Sequence, residues 1–580
     1  MSQAIDRVDV VVVGSGPAGT TYARLIGDLV PEARVLVVDS GPVVSDPPGT
    51  HVNTIEDPGV RARAKIASQG PAQYSYDIPP SEQRLLSHRT GQDGPILPHE
   101  GLFLLSASQD LSASQDLSAS QDLSASQDLS PDFPAAAMAS NVGGMGAHWF
   151  GACPRPYGTE RIAFLDGPVL DDALATAERL LGVSAGQFAG SERAAWRESL
   201  LGDLFNAGRE PARWVQPMPL AVNRETSGSG QAGPAVILGP QLSGPAGNLE
   251  LRPETLCRRV IMDGDRATGV ELVDLATGTP YQTAARQVVV AADSLRTPQL
   301  LYASGVRPAA LGRHLTEHPY VAAIVAVDGV FDEPSDPAID ALMPSSGVTW
   351  IPFNEARFPM HAQVSQRSSV LTIGLFLRKE IRPENRVEFS DAARDWQVLP
   401  SMEVHYSLSD LDRTAVDQAL QVAADITTAC GGTNAPGWPR LMPGGSSLHY
   451  QGTVRMGPAD DGQSVCDRHG RVWGTQNLFV AGNGLIPTST ACNPTLTSVA
   501  LAVLGAREVS AQLDPGSGRS EDAPAAATGL RPAGRGLRTS RHGRLRCLAW
   551  PRPLPPARPP SRVPPAVSPS ACWLVSPFSA

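Results

Sequence analysis

The stretch "VDVVVVGSGPAGTTYARLIGDL" near the start of the chain constrains the fold more than any other feature of the sequence. A β-branched run leads into a glycine turn and a helix-compatible segment, and "ARVLVVDSG" follows as a second apolar run that ends in an acid. Gly14 suits the tight turn, Gly16 leaves room for a pyrophosphate, and Gly19 allows close packing of the helix on the strand. Asp39, twenty residues past Gly19, can bond a ribose hydroxyl. The pattern predicts a β-α-β unit that binds FAD or NAD rather than NADP.

Further strand-like runs lie far along the chain. "RQVVVAADS" resembles a buried strand of a parallel sheet, and "NLFVAGNGLIP" repeats the pattern of a strand that leads into glycine. We therefore expect an α/β fold, in which a Rossmann-like FAD-binding domain is assembled from dispersed segments and a substrate-binding domain has a mainly antiparallel sheet. The predicted nucleotide-binding segments are 1–159, 246–311 and 451–513. The predicted substrate-domain segments are 160–245 and 312–450.

Charge and cysteine content exclude several classes of partner. The tail from Pro515 to Ala580 holds ten arginines and two acidic residues, so residues 1–514 carry a net charge of −19 although the whole chain carries −11. Such an acidic body repels phosphate backbones, and we expect no nucleic-acid partner. The seven cysteines show no C-x-x-C pair, so we expect neither a disulfide framework nor a metal site. No signal peptide and no apolar segment of about 20 residues is visible, which predicts a cytoplasmic protein without a membrane partner.

Two segments differ from the rest of the sequence. Residues 106–129 are four copies of "SASQDL", whose leucines recur every six residues and so make no helical stripe. We expect a disordered insertion there, with a small β repeat as the alternative. The Pro/Arg-rich tail, 514–580, is also expected to be disordered. A passive extension is the simpler interpretation of that tail, and partner binding is the alternative.

Six motifs occur in the order typical of one enzyme family. They are "GSGPAG", "NVGGMGAHW", "VVVAADSLRTPQLLYASGV", "LGRHLTEHP", "LHYQGTVRMG" and "NLFVAGNGLIPTSTACNPTLTSVALA". Together they resemble the glucose-methanol-choline (GMC) flavoprotein oxidoreductases, and within that family the pyranose oxidases and bacterial sugar or C-glycoside oxidases. The resemblance covers about residues 8–512, apart from the repeat.

The resemblance implies FAD as the cofactor, with its isoalloxazine ring against "GGMGAHW". The glycines of this stretch would let the backbone approach the flat ring. Besides Gly14, Gly16, Gly19 and Asp39, the positions implied in cofactor binding are Asn141, Gly143, Gly144, Gly146, His148, Val260, Gly482, Asn483 and Thr495.

His148 corresponds to the histidine that is covalently linked to the flavin in pyranose oxidases. Here the surrounding residues read "GAHWF", where the fungal enzymes have "STHWT", so Phe150 removes a hydroxyl expected near the flavin. Two roles for His148 therefore stay open. One is a covalent link to FAD, and the other is packing or hydrogen bonding beside it.

His449 and Asn493 resemble the catalytic pair of the family. Oxidation of an alcohol requires removal of the hydroxyl proton while the carbon hydrogen leaves as hydride, and a neutral imidazole can take that proton. Asn493 can hydrogen-bond the same hydroxyl through its amide. It also precedes Pro494, as in a helix N-cap followed by proline, so the same helix start can face the flavin.

Two further positions are weaker candidates. Glu403, in "DWQVLPSMEVHY", lies where pyranose oxidases bind sugar, and an exposed strand position is the alternative. His314 and His318 are spaced like metal ligands, but no third ligand is evident, so we interpret them as structural and predict no metal.

The sequence thus predicts an FAD-dependent oxidase that converts a secondary hydroxyl of a pyranose or glycoside to a ketone, at carbon 2 or 3. O2 is the expected electron acceptor and H2O2 the product. The alternatives are a dehydrogenase that passes electrons to a quinone or redox protein, and an inactive flavin-binding protein. The sequence does not determine which sugar is oxidised or what the oligomeric state is. It is compatible with a homo-oligomer.

Overall fold

The structure of the protein is a computed structural model. It describes residues 6–68, 103–104, 133–225, 228–242, 248–327, 343–356, 358–367, 369–395 and 397–514. The "SASQDL" repeat at 106–129 and the tail from residue 515 onwards lie outside these residues, so the predictions made for them stay predictions.

The described residues form strands and α-helices, and in several stretches strands follow one another directly. The strands are β1 (Asp6–Val13), β2 (Val35–Val38), β3 (Phe103–Leu104), β4 (Ala137–Met138), β5 (Gln216–Pro217), β6 (Leu249–Arg252), β7 (Thr255–Asp263), β8 (Arg266–Asp274), β9 (Thr279–Val290), β10 (Tyr320–Ala326), β11 (Val348–Ile351), β12 (Met360–Arg367), β13 (Val370–Leu377), β14 (Arg386–Arg394), β15 (Pro400–His405), β16 (Thr433–Asn434), β17 (Arg440–Leu441) and β18 (Leu478–Val480). The α-helices are α1 (Pro17–Leu29), α2 (Pro58–Ala67), α3 (Gly167–Leu181), α4 (Glu192–Phe205), α5 (Pro234–Leu238), α6 (Arg296–Ala303), α7 (Asp410–Ala429) and α8 (Thr495–Leu513).

The first sheet contains the predicted β-α-β unit. Its strands lie in the order β6-β2-β1-β9-β8-β7, and β18 pairs with β9. β1 runs parallel to β2 and β9, with Val13 opposite both Val38 and Val290, whereas β8 is antiparallel to β7 and β9. Distant parts of the chain therefore build one sheet. The exact domain boundaries given above remain predictions.

β1 lies inside this sheet because both of its faces are apolar. The valines at 10–13 alternate between two hydrophobic clusters, one on each face, which is typical of a covered parallel strand. The chain then turns at Gly14, whose φ is +104° and where a Cβ would lie 2.3 Å from the carbonyl oxygen of Ala291. Only glycine fits this turn. It starts α1 at the carboxyl edge of the sheet.

The second sheet is antiparallel. Its strands lie in the order β16-β10-β13-β12-β11-β5, and β17 also pairs with β10. Helix α7 covers it, since Val416, Ala419 and Ile426 share one hydrophobic cluster with the strands. β14 and β15 form a separate antiparallel ribbon. The α/β fold with a second, antiparallel sheet matches the prediction.

None of the helices in the described part of the chain is long and apolar enough to cross a membrane.

Candidate active site

One cleft joins the cofactor-binding and catalytic residues that the sequence predicts. It encloses about 1700 Å³ that protein atoms do not fill, part of it open to solvent. It runs from the turn after β1 to the loops that carry the predicted catalytic pair, His449 and Asn493. The predicted residues that line it are Gly14, Gly16, Asp39, Asn141, Gly144, Gly146, His148, His449, Gly482, Asn483, Asn493 and Thr495.

Ser15 holds three segments together at the β1 end of the cleft. Its Oγ donates to Asp39 Oδ2 at 2.5 Å and accepts from the backbone N–H of Gly143 at 2.8 Å. Asp39 Oδ1 accepts from the Gly41 N–H at 2.9 Å and keeps a lone pair for a ribose hydroxyl. Burial raises the pKa of Asp39, while the bonds from Ser15 and Gly41 oppose this. Ser15 has no signal in the sequence, because the glycine motif leaves the position after its first glycine unspecified.

The bare backbone of the cleft fits FAD. A Cβ on Gly16 would meet only the Gly143 carbonyl oxygen, at 3.9 Å, and a Cβ on Gly482 would meet nothing within 4 Å. Helices α1 and α8 both begin at the cleft without a side-chain cap, so their first amides are open to a ligand. Helix N-termini attract negative charge. The start of α1 therefore suits a pyrophosphate, and the start of α8 suits an electron-rich ring.

His148 lies buried at the wall of the cleft. Its Nε2 is 3.1 Å from Asn141 Oδ1, and the Asn141 amide donates to the Val142 carbonyl oxygen at 2.8 Å. Burial lowers the pKa of His148 to about 3, so the ring is neutral and Nε2 carries the proton that Asn141 accepts. Nδ1 is buried without a hydrogen-bond partner. Because Asn141 engages Nε2, we predict the hydrogen-bonding role, and the covalent link stays the alternative.

His449 and Asn493 face each other at the other end of the cleft. His449 Nε2 lies 3.3 Å from Asn493 Nδ2, and Asn493 Oδ1 accepts from Gln363 Nε2 at 2.8 Å. On the opposite side, His449 Nδ1 lies 3.0 Å from His318 Nδ1. The Phe376 ring packs beside the imidazole of His449, with centroids 5.2 Å apart. An alcohol hydroxyl between Nε2 and Nδ2 would find an acceptor for its proton and a donor for its oxygen.

The histidines of this region are neutral. Burial lowers the pKa of His449 and of His361 to about 3, and burial next to His449 lowers the pKa of His318 well below its usual value. A neutral imidazole has one nitrogen free to accept a proton. His449 is therefore in the state that a general base requires.

Two buried carboxylates anchor the loops that carry the pair. Glu317 accepts from the N–H of Gly445 at 2.6 Å and from the N–H and hydroxyl of Ser447 at 2.8 Å, just before His449. Glu160 Oε1 accepts from the N–H of Ala491 at 2.7 Å and of Cys492 at 2.9 Å, just before Asn493. Burial raises the pKa of Glu317 to about 7 and also raises that of Glu160. These anchors are invisible in the sequence, because both glutamates lie far from the loops they hold.

Gly19 and Gly143 do not line the cleft but shape it. A Cβ on Gly19 would lie 2.0 Å from the Gly14 carbonyl oxygen, which confirms the close packing of α1 on the turn. Gly143, with φ +98°, starts the turn that leads into the glycine stretch and donates to Ser15.

Val260 lies away from the cleft. Its side chain is buried in the hydrophobic core, 2% exposed. Val260 is five residues along β7 from Thr255, roughly 16 Å at about 3.3 Å per residue. The residues of β7 that line the cleft are instead Thr255, Leu256 and Cys257. We correct the prediction for Val260 accordingly, because the start of β7 is held at the cleft by the hydrogen bond from the Thr255 N–H to the Asp39 carbonyl oxygen, at 2.8 Å.

Glu403 also lies away from the cleft. It is on β15, opposite Glu388, with 68% of its side chain exposed. This is the exposed strand position that the sequence left as the alternative, so Glu403 is not among the substrate-facing residues. From the same stretch, Gln397 and Leu399 line the cleft.

His318 makes a contact that the sequence did not indicate. The motif suggested a structural histidine, and in the fold its ring lies directly against His449. His314 lies apart, with a left-handed backbone at φ +61°. In the described part of the chain, no cluster of three or more potential ligands could hold a metal ion.

Comparison with known proteins shows what the chain as a whole is similar to. Two profiles described as GMC oxidoreductase match residues 238–320 and 382–502. The chain is 40% identical over 523 residues to a C-glycoside 3-oxidase of Arthrobacter globiformis, covering 87% of this chain and 95% of that protein. It is 42% identical over 536 residues to a C-glycoside 3-oxidase of Microbacterium trichothecenolyticum, covering 87% and 97%.

Two more distant similarities extend this picture. A pyranose 2-oxidase of Tricholoma matsutake is 29% identical over 556 residues, covering 87% of this chain and 94% of that protein. A solved structure of a formate oxidase from Aspergillus oryzae, in a study of FAD modification, has a TM-score of 0.61 at 16% identity and covers 89% of this chain and 100% of the other. The latter similarity shows a shared fold.

Proposed function

Because the chain belongs to the GMC oxidoreductase family, we propose that it oxidises a secondary hydroxyl of a glycoside to a ketone, using FAD and O2. The proposal rests on one observation. His449 and Asn493 lie in contact in the same cleft as the turn at Gly14–Gly16, which is predicted to bind the dinucleotide cofactor. FAD is the cofactor that this family binds, as the sequence predicted.

The residues at the catalytic end each have a defined task. His449 Nε2 accepts the proton of the substrate hydroxyl, and Asn493 Nδ2 donates to the oxygen of that hydroxyl. Gln363 holds the Asn493 amide in this orientation by donating to its oxygen. When bound, FAD would supply the acceptor for the hydrogen that leaves the same carbon as hydride, and its two electrons, together with two protons, would reduce O2 to H2O2. The turn at Gly14–Gly16 and the glycines at 144 and 146 would hold the cofactor.

We place the oxidised hydroxyl at carbon 3 of a C-glycoside. The relatives that are 40% and 42% identical carry the name C-glycoside 3-oxidase, whereas the pyranose 2-oxidase is 29% identical. Free pyranoses are the second substrate class to test. The cytoplasmic location and a homo-oligomeric state remain predictions of the sequence.

The test is anaerobic reduction of the FAD-loaded protein by a panel of C-glycosides, O-glycosides and free sugars. We expect a C-glucoside to bleach the flavin and the product to be the 3-ketone, identified by NMR. Exposure to air should restore the yellow colour and release H2O2.

Other outcomes separate the alternatives. Bleaching without rapid reoxidation by air would indicate the dehydrogenase, which quinones would then reoxidise. A protein that holds FAD but is not bleached by any member of the panel would contradict the proposal.

A further inference from the structure

The ring of His318 lies against the side of His449 that faces away from Asn493. The two Nδ1 atoms are 3.0 Å apart, and the rings meet edge to face with centroids 4.9 Å apart. His318 is 2% exposed, so water does not compete for this contact. Its other nitrogen, Nε2, lies 3.2 Å from Thr490 Oγ1.

The contact between the two Nδ1 atoms restricts where the protons are. Both rings are neutral, so they share two protons among four nitrogens. A hydrogen bond between the Nδ1 atoms needs one proton, and the second proton must then be on one of the outer Nε2 atoms. If it is on His318, His449 Nε2 is free to act as a base. If it is on His449, that nitrogen is blocked.

The neighbours of the pair favour the first arrangement. Asn493 Oδ1 is occupied by the amide of Gln363 at 2.8 Å, so Asn493 presents Nδ2, a donor, to His449 Nε2. His449 Nε2 must then accept, which puts its proton on Nδ1. On the other side, Thr490 Oγ1 can accept from His318 Nε2.

The contacts of Gln451 favour the opposite arrangement. Which nitrogen of His449 carries the proton is therefore a matter for experiment. Its Nε2 lies 3.2 Å from His318 Nε2, and it donates to the backbone carbonyl oxygen of His449 at 3.3 Å. Thr490 donates to Gln451 Oε1 at 3.1 Å. Donation from Gln451 to His318 would leave the second proton on His449 Nε2.

We propose that His318 is a positioning residue that accepts the Nδ1 proton of His449 and so keeps His449 Nε2 unprotonated toward the substrate hydroxyl. The inference rests on the proposed function of His449 as the base. When His449 takes the hydroxyl proton, both of its N–H groups have acceptors, since Nδ1–H stays bonded to His318. Orientation of a catalytic histidine by a partner at Nδ1 is known to matter greatly for rate.

Two matched variants test the role by activity. In His318→Asn and His318→Leu the side chain branches at Cγ, but only asparagine places an oxygen where Nδ1 was. We expect His318→Leu to lower the limiting rate of anaerobic flavin reduction about 100-fold, of the order of a lost catalytic proton transfer. We expect His318→Asn to stay within about tenfold of the wild type, because it retains the acceptor. Equal losses in both variants would contradict the proposal.

A spectroscopic measurement tests the same point without turnover. In the FAD-loaded protein with 15N-labelled histidines, the His449 signals can be assigned by their loss in His449→Ala. We expect the wild type and His318→Asn to carry the His449 proton on Nδ1, and His318→Leu to lose this preference. A wild-type spectrum with the proton on Nε2 would overturn the inference, even if the leucine variant does not fold.

The two failures are distinguishable. If no glycoside reduces the wild-type flavin, the proposed function fails, whereas the 15N spectrum still decides the position of the proton. If glycosides reduce the wild type and His318→Leu at the same rate, only the role of His318 fails.

Discussion

His449 Nε2 lies 3.3 Å from the amide nitrogen of Asn493. His449 follows β17, a strand of the antiparallel sheet, and Asn493 precedes α8, which packs with α1 beside the parallel sheet. The end of the cleft that we propose to be catalytic is therefore built where the two parts of the fold meet, and each part supplies one member of the pair.

Removal of the His449 imidazole should abolish most of the alcohol oxidation. We expect His449→Ala to lower the rate of anaerobic flavin reduction by at least about 100-fold, because the hydroxyl proton loses its acceptor. FAD content should not change. The matched control is His405→Ala, at a partly exposed histidine on β15 that lies 3.3 Å from Glu388. A nearly unchanged rate of flavin reduction in His449→Ala would exclude His449 as the base.

FAD should be bound without a covalent link to His148. One ring nitrogen is engaged by Asn141 at 3.1 Å, and the other is buried without a partner. Precipitation of the purified protein with acid should leave all of the yellow colour in the supernatant. Flavin absorbance that stays with the washed pellet, and disappears in His148→Ala, would show a covalent bond instead.

Glu403 should be dispensable for substrate binding. Because its side chain is 68% exposed on β15, we expect Glu403→Gln to leave KM and kcat within about twofold, as for most exposed substitutions. Gln363→Ala is the contrasting variant, since it frees the Asn493 amide that Gln363 orients. It should lower kcat by about tenfold, consistent with loss of a hydrogen bond of about 1.4 kcal/mol. Steady-state kinetics with the best glycoside of the panel would show whether Gln363→Ala lowers kcat more than Glu403→Gln does.

Glu317 should make the stability of the protein depend on pH. Burial raises its pKa in the folded state to about 7, whereas the unfolded chain has an ordinary glutamate. Between about pH 4.5 and 7 the folded state therefore holds a proton that the unfolded state has lost, and stability falls as the pH rises through this range. The effect is at most about 3 kcal/mol.

The variant Glu317→Gln isolates this contribution. The amide does not titrate, so the wild type should lose thermal stability relative to the variant from pH 5 to pH 7.5. Glu388→Gln is the control at an exposed carboxylate, whose pKa is lowered by its bond to Arg386. A constant difference in midpoint temperature between wild type and Glu317→Gln would contradict the shift of the Glu317 pKa.

The local parts of the site can be predicted from the sequence alone. The turn at Gly14, the packing of Gly19 and the acid at Asp39 follow from one contiguous β-α-β motif, in which the type and spacing of the residues can be read directly from the sequence. The identities of His449 and Asn493 came from ordered motifs, and the α/β class came from apolar strands that lead into glycine turns.

The tertiary structure alone decided which of the distant residues meet. It moved the contacts on β7 from Val260 to Thr255, Leu256 and Cys257, because distance along a strand from the sheet edge is not written in a local pattern. It turned Glu403 to solvent. It brought His318 to His449, 131 positions away, because His318 precedes β10 and His449 follows β17, and these two strands pair with each other only in the folded antiparallel sheet.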